Sequence, residues 1–440
     1  MIRRRACVVL ILLASTQALA WGPHPEITDA GLSALPPDHP LRRLLGGEFA
    51  GLREHCWMAD YRRSFQGDYY PDDFLLFPGA IKHYDHLCPE VRATYQPYFR
   101  RALQALRTES AWNAARWTGS ILHFTEDTGS PPHAAEIRGD VHSKMENWLD
   151  AKKIGIGNYV PTLLGDDDDA AVAGFQRRME GLIAYSKERG LKVRAAVESG
   201  DRPSVEPVVL ESAIETSRVV ADLLHTLGTL AEKGRKDGAS LRGKLASTPS
   251  TGFEKIGVKV VVDGTSYSTL ATPEGAYEFR NLPPGKYRLR FLRAGSETST
   301  EDVILENRGS VIRDVRLTGS AVPGNLVRNA DLQVHWVTAT LPDCWYKAKD
   351  AWEGEPLPVK PGGKYRFRVD WKAGAAGEVV IRWREHSAPQ GGHPVETEPL
   401  RPGSDAALLT APDMMNFARI IVRGAAPDAC LARVSLVPGD

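Results

Sequence analysis

The residues best suited to chemistry lie in His123-Phe-Thr-Glu-Asp127-Thr-Gly-Ser-Pro-Pro-His133 and, shortly after, in His142-Ser-Lys-Met-Glu146. Positions i and i+4 of a helix share one face, one turn apart, so His123 with Asp127 and His142 with Glu146 each present an imidazole beside a carboxylate. That is how a helix offers two ligands to one zinc ion. Gly129, Pro131 and Pro132 break the first helix and re-aim the chain, with His133 in the gap. One such pair is what a polar helix face collects by chance. Two pairs with a histidine between them read as a metal site. Eight of the twelve histidines fall between residues 24 and 142, so the histidines cluster in one part of the chain.

Helices must carry these residues. Residues 98 to 127 show one amphipathic pattern, with Leu103, Leu106, Ala114, Trp117, Ile121 and Phe124 on the buried side. Further helices are expected over 26–35, 41–45, 142–153, 167–189 and 205–234. The segment 56–90 reads as loop-rich, with Asp60, His83 and His86. The run Asp166 to Asp169 lacks the alternating ligands and glycine of a calcium loop and reads as the acidic first turn of a helix. His225 lies in an apolar helical stretch and reads as a core histidine.

The period changes near residue 237. Alternation then replaces helical spacing, in Val258 to Val262, Tyr277 to Phe279, Tyr287 to Phe291, Val303 to Leu305 and Val311 to Leu317, with turn signals between. A further unit begins near Asn325 and has strands over 364–371, 378–384, 418–423 and 430–437. It holds Trp336, Trp345, Trp352, Trp371 and Trp383, which suit either a sandwich core or stacking on a sugar or a membrane interface.

The chain has 440 residues, 42% hydrophobic and 25% charged, which suits several globular domains and excludes disordered and fibrous classes. Residues 1–20 read as a signal peptide: Arg3 to Arg5, an apolar run from Val8 to Ala14 too short to span a bilayer, and Ala18-Leu19-Ala20 as the cleavage site. Removing those three arginines from the 55 basic residues leaves 52 against 55 acidic ones, which gives no field for binding nucleic acid. Export, to a periplasm or out of the cell, is expected. Four cysteines then remain in an oxidising compartment, where Cys56–Cys88 and Cys344–Cys430 bonds would keep each pair within one domain. Cleavage would also expose the Trp21 amine near His24. With a reference pKa near roughly 8, that amine can bind metal at neutral pH.

Residues 21 to about 234 resemble the zinc-dependent phospholipase C family, which shares its helical fold with the S1/P1-type nucleases. The resemblance rests on Trp21, His123-x3-Asp127-x3-Pro131-x-His133-Ala-Ala and His142-Ser-Lys-x-Glu146-Asn-x-x-Asp150, with Asp60 and His83 matching upstream ligands in context and order. It implies three zinc ions. One would be held by Asp60, His83, His123 and Asp127, a second by His133, His142 and Glu146, and a third by the Trp21 amine and carbonyl, His24 and Asp127. Asp60 would also orient or deprotonate the attacking water. Glu146 stands where the nucleases have Asp. The chain departs from the family in three places: His24 is only three residues from Trp21, Glu126 replaces a small residue, and Glu136 replaces Asn. His39 is an alternative to His24, although Pro40 follows it. His55 and His86 match no ligand position and read as surface or structural.

Thr272-Pro-Glu-Gly-Ala-Tyr-Glu-Phe-Arg-Asn-Leu-Pro-Pro-Gly-Lys-Tyr-Arg-Leu resembles the repeat of carboxypeptidase-regulatory-like (prealbumin-like) domains, and the opening at Asn325 resembles galactose-binding-like jelly rolls. The expected architecture is multidomain. A signal peptide (1–20) precedes an all-α catalytic domain of the zinc phospholipase C/P1 nuclease type (21–236). A carboxypeptidase-regulatory-like β-sandwich (237–319) and a galactose-binding-like β-sandwich (320–440) follow. The expected substrate is a phospholipid or membrane surface, with a carbohydrate or cell-surface ligand for the sandwiches and a monomeric chain. The rivals are a single-strand nuclease and a non-catalytic surface-binding protein with zinc as a staple.

Overall fold

A helical N-terminal region leads into β-sandwich sheets in the computed structural model. It describes residues 21–56, 86–247, 258–272, 274–292, 299–317, 324–327, 329–333, 342, 344–348, 351–385 and 394–439. The expected leader, Asp60, His83 and Trp336 lie outside the described residues.

The described helices longer than one turn of 3-10 are α1 (His24–Ser33), α2 (Pro40–Leu45), α3 (Leu52–His55), α4 (Arg92–Thr108), α5 (Ala111–Gly129), α6 (Pro131–Ala134), α7 (Asp140–Asn147), α8 (Asp168–Ser199) and α9 (Arg202–Lys233), before a last turn at Pro427–Cys430. The acidic run at 166–169 starts α8: the Asp167 carboxylate accepts the Ala170 N–H at 2.8 Å, and Asp168 and Asp169 fill the first turn. Gly200, at φ 82°, ends it. No helix among the described residues is long and apolar enough to cross a membrane.

The single helix expected over 98–127 is two. Glu109 is extended, pairs with Phe279 in an isolated bridge, and forms an ion pair with Arg101. Ser110 then caps α5 by accepting the Asn113 N–H. Tertiary contact with the following sheet therefore outweighs helix propensity at this point. Asn113 donates to Thr269 Oγ1 at 3.1 Å and Gln104 to the Ser266 carbonyl at 2.7 Å, so the α4–α5 junction docks on the first β-unit.

From Asn113 to Gly129, α5 is buried on every side. Three of its hydroxyls satisfy themselves on the preceding turn, Ser120 on Arg116, Thr125 on Ile121 and Thr128 on Phe124. His123, Glu126 and Asp127 cannot do so and need partners from other helices. Gly119 brings one of them close. A Cβ there would overlap the His55 backbone at 2.5 Å, so only glycine admits α3 near enough for the Cys56 carbonyl to accept from His123. A small satellite core of Ile137, Met145, Val193, Val197, Val205 and Val209 seats α7 against the α8–α9 turn.

In the first β-unit, strands Ala276–Leu282, Ala239–Ser247 and Ser310–Ile312 form one sheet, with Val315–Leu317 also paired to the first of the chain. Ser268–Leu270, Lys259–Val262, Gly285–Leu292 and Ser299–Leu305 form the facing sheet. Strand Ala239–Ser247 precedes the first alternation read from the sequence, at Val258; its buried Leu241 and Leu245 are flanked by Arg, Gly and Lys, which blur the alternation. The last unit packs a six-stranded sheet against a three-stranded one. Lys364–Trp371 alternates as expected, with Tyr365, Phe367 and Val369 inward. Trp345 and Trp383 are core residues, and Trp352 and Trp371 are half-buried against that core.

The expected disulfides are absent. Cys56, Cys88 and Cys430 are free thiols, so neither expected pair forms. Cys56 Sγ donates to the Arg53 carbonyl at the end of its own helix, and Cys430 Sγ faces the Pro427 carbonyl likewise. Membership of one domain does not fix where a sulfur points, and these two turn back on their own helix ends. Burial pushes the Cys88 thiol up to about 11.

His39 caps α2 by accepting the Leu41 N–H on Nδ1, which leaves Nε2 to donate to His225 Nδ1 at 3.0 Å. Thus His39 is committed to this pair and is no substitute for His24. Burial first, then His225, Arg42 and Arg43, push His39 down to about 4, and burial pushes His225 down. An unfolded histidine titrates near roughly 6.5, so stability from the neutral pair is present above that pH and is lost as pH falls through 4. His39→Asn keeps a good cap without a titrating group. Its urea midpoint is expected to fall less than the parent's between pH 7 and pH 4.5; equal falls would count against the pair.

Candidate metal centre

Two groups of ligand-type side chains come together: His24, His123 and Asp127, and His133, His142 and Glu146, each with its donor atoms within 4.8 Å of one another. In the first, His123 Nε2 lies 3.0 Å from Asp127 Oδ2, and His24 Nε2 lies 3.4 Å from Asp127 Oδ1. The His24 and His123 rings stack at 4.6 Å. In the second, Glu146 faces His133 Nε2 at 3.0 Å through Oε1 and His142 Nε2 at 3.2 Å through Oε2. His133 Nδ1 is 3.8 Å from Asp127 Oδ1, so the two groups adjoin.

Each pair at i, i+4 is held by its own helix: α5 for His123 and Asp127, α7 for His142 and Glu146. His133 sits on the single turn α6, which Ser130, Pro131 and Pro132 start where α5 stops. His24 opens α1 and arrives from a distant part of the chain. Trp21 is wholly buried beside it, its indole edge-on to the His24 ring, and its carbonyl accepts the His24 N–H at 3.4 Å.

The outward nitrogens are as ordered as the inward ones. His123 Nδ1 donates to the Cys56 carbonyl at 2.7 Å, His133 Nδ1 to the His86 carbonyl at 3.1 Å and His142 Nδ1 to the Ile137 carbonyl at 2.9 Å. A carbonyl can only accept, so Nδ1 carries the proton and Nε2 faces the carboxylates. That tautomer and orientation suit metal-ligating histidine. Asp127 Oδ1 is buried without a hydrogen bond among the described residues, an acceptor left for something else. The donor set of imidazole and carboxylate fits zinc.

Charge reinforces this geometry. Burial opposes ionisation of Asp127, but His123, His133 and His86 around it hold its carboxyl well below the usual range. Burial likewise opposes charge on His24, yet the Asp127 and Glu126 carboxylates raise it to about 10. For His133, Asp127 and Glu146 overcome burial and raise it to about 9. Glu146 is held low by His133 and His142 against its burial. A divalent cation would replace these protons as the counter-charge, releasing them on binding.

One residue read from sequence as surface or structural lies in the centre. His86 Nδ1 is 2.5 Å from Asp127 Oδ2 and 3.0 Å from His123 Nε2. No spacing rule marks it, because it reaches Asp127 across 41 residues. His55 stays outside, near Glu48 at 4.0 Å.

Residues 240–318 match the carboxypeptidase regulatory-like domain family, as the turn repeat implied. No curated protein matches the chain. Among solved structures, an alpha-toxin of Clostridium perfringens is similar at 14% identity, over 63% of this chain and 88% of that chain, with a TM-score of 0.38. The alpha-toxin of Clostridium absonum is similar at 14%, over 65% and 94%, with a TM-score of 0.37. A cohesin–X-dockerin complex of Acetivibrio cellulolyticus is similar at 20%, over 17% of this chain and about half (52%) of that chain, with a TM-score of 0.16. None of these superpositions assigns a role to a residue here.

Proposed function

We propose that the chain is an exported zinc-dependent phosphodiester hydrolase of the phospholipase C type, cleaving phospholipids to diacylglycerol and a phosphorylated head group. The observation that carries this reading is the pair of adjoining imidazole–carboxylate clusters around Asp127, with His123, His133 and His142 each turning Nε2 inward. Bound zinc would supply Lewis acidity and an acidified water for phosphodiester hydrolysis. Asp127 would hold the first ion with His123, Asp60 and His83, and would share in a third with His24 and the Trp21 amine. His133, His142 and Glu146 would hold the second. Asp60 orients the attacking water in this reading.

The protein's own residues do the rest. Burial of His24, His123 and Asp127 excludes bulk water on one side. His142 and His86 are the partly exposed members, with side chains 19% and 13% accessible, and mark the side from which a head group approaches. The β-units would orient the enzyme on a lipid or carbohydrate surface.

Zinc analysis combined with a substrate screen tests the assignment. Zinc-loaded protein is expected to release phosphorylated head groups from mixed phospholipids and to stop when a chelator strips the metal. Cleavage of single-stranded nucleic acid without head-group release would move the assignment to an S1/P1-type nuclease. Full zinc with no phosphodiester cleavage would make the metal a staple in a surface-binding protein.

A further inference from the structure

Glu126 precedes Asp127 in α5 and meets the other ring nitrogen of His24. Its carboxylate is wholly buried, and both oxygens are engaged. Oε2 meets His24 Nδ1 at 2.6 Å, and Oε1 accepts from Thr28 Oγ1 at 2.5 Å. His24 and Thr28 are one turn apart on α1, so a single carboxylate grips two successive turns of that helix.

We infer that Glu126 is a positioning residue for the metal centre, which orients His24 by holding its Nδ1–H and clamps α1 onto α5. The inference rests on the reading of His24 as a ligand. A buried carboxylate must be paired, since an uncompensated one is expelled or neutralised. Here its partners are a hydroxyl and an imidazole that also faces Asp127. With Nδ1 held by Glu126, His24 directs Nε2 at Asp127 Oδ1, 3.4 Å away.

His24 differs from the other three imidazoles. His123, His133 and His142 lean on backbone carbonyls, which their local folds supply in any case. Across 102 residues of sequence, His24 leans on a carboxyl side chain of another helix. A carboxylate makes the stronger outer bond and raises the basicity of the inner nitrogen. The residue that departs from the resembled family at this position is therefore directed away from the substrate side and towards the first helix.

The test compares Glu126→Gln, Thr28→Val and His24→Ala in the full chain. Zinc per chain and zinc affinity are measured by chelator competition, with circular dichroism for folding and cobalt(II) substitution for ligand geometry. Glutamine is isosteric but cannot accept from both donors without turning its amide against one. Glu126→Gln is expected to lose roughly 10- to 100-fold in affinity for one ion, to shift the cobalt visible spectrum, and to leave the other ions unchanged. His24→Ala should lose that same ion entirely. If His24→Ala loses an ion while Glu126→Gln keeps the parent affinity and cobalt spectrum, Glu126 is a structural clamp only and the inference fails alone. If His24→Ala keeps every ion, the site reading fails and takes the inference with it. Should Glu126→Gln not fold, Thr28→Val decides: weaker zinc at unchanged helix content supports the positioning role, and unchanged zinc overturns it.

Discussion

Asp127→Asn is expected to strip metal from the centre while leaving the helices standing. The carboxylate is where the two clusters meet. His86 and His123 face one oxygen at 2.5 and 3.0 Å, and His24 and His133 lie 3.4 and 3.8 Å from the other. Asparagine keeps the shape and removes the charge. Zinc affinity should fall beyond the roughly 100-fold upper end for losing an outer partner, since in the proposed reading Asp127 would itself hold metal. The metal-free protein should also weaken. Removing one partner of a buried charged pair costs about 3–5 kcal/mol, less than the whole of a usual stability of roughly 5–15 kcal/mol.

The effect has a pH sign. In the metal-free parent, His24 and His133 are raised to about 10 and about 9. Their charged form contributes stability that is fully present below roughly 6.5 and lost as pH rises through 9 to 10. Asp127→Asn removes their main counter-charge, so its metal-free melting temperature should differ most from the parent's near neutral pH and least above 10. Zinc analysis, circular dichroism and melting curves at pH 7 and pH 10.5 check this. Retention of the parent's zinc by a folded Asp127→Asn protein would remove Asp127 from the centre.

The second large effect concerns backbone approach. Gly129 ends α5 between Asp127 and His133, and a Cβ there would overlap Thr216 Oγ1 and come within 2.7 Å of its Cγ2. Thr216 cannot easily turn away, because its hydroxyl donates to the Ser212 carbonyl at 2.7 Å and its methyl is buried in α9. Gly129→Ala should therefore push α5 from α9 and cost about 1–3 kcal/mol, the usual scale for overpacking. The displacement falls on the link between the two clusters, so zinc affinity should drop with stability. Gly129→Ala/Thr216→Ala should recover only part of both, because the two Cβ atoms would still meet at 2.8 Å, with coupling as expected for residues in direct contact. Additive losses in the denaturant midpoint would show that the cost arises elsewhere, in the α5 terminus itself.

Much of the centre was legible from spacing alone. His123 with Asp127 and His142 with Glu146 could be paired on paper, because the 3.6-residue period places i and i+4 on one face whatever the surroundings. The acidic start of α8 and the inward face of Lys364–Trp371 were legible for the same reason: cap chemistry and strand alternation are local. The resemblance to a family added His24 and the ligand roles, which no periodicity supplies.

What remained depended on contacts between distant segments. The break at Glu109 follows from pairing with Phe279, and a helix-period pattern carries no trace of a strand 170 residues ahead. The expected cysteine pairs do not form, and Cys56 and Cys430 turn their sulfurs back on their own helix ends. His39 is taken by His225, and His86, which read as peripheral, meets Asp127. Sequence by itself determined which residues could ligate and which pairs share a helix face, since those are properties of one turn. Only the tertiary structure decided that Asp127 lies between two clusters and that Glu126, its neighbour, holds the other nitrogen of the same His24 ring. Adjacent residues on a helix point about 100° apart, and what each meets is set by the helices packed around it.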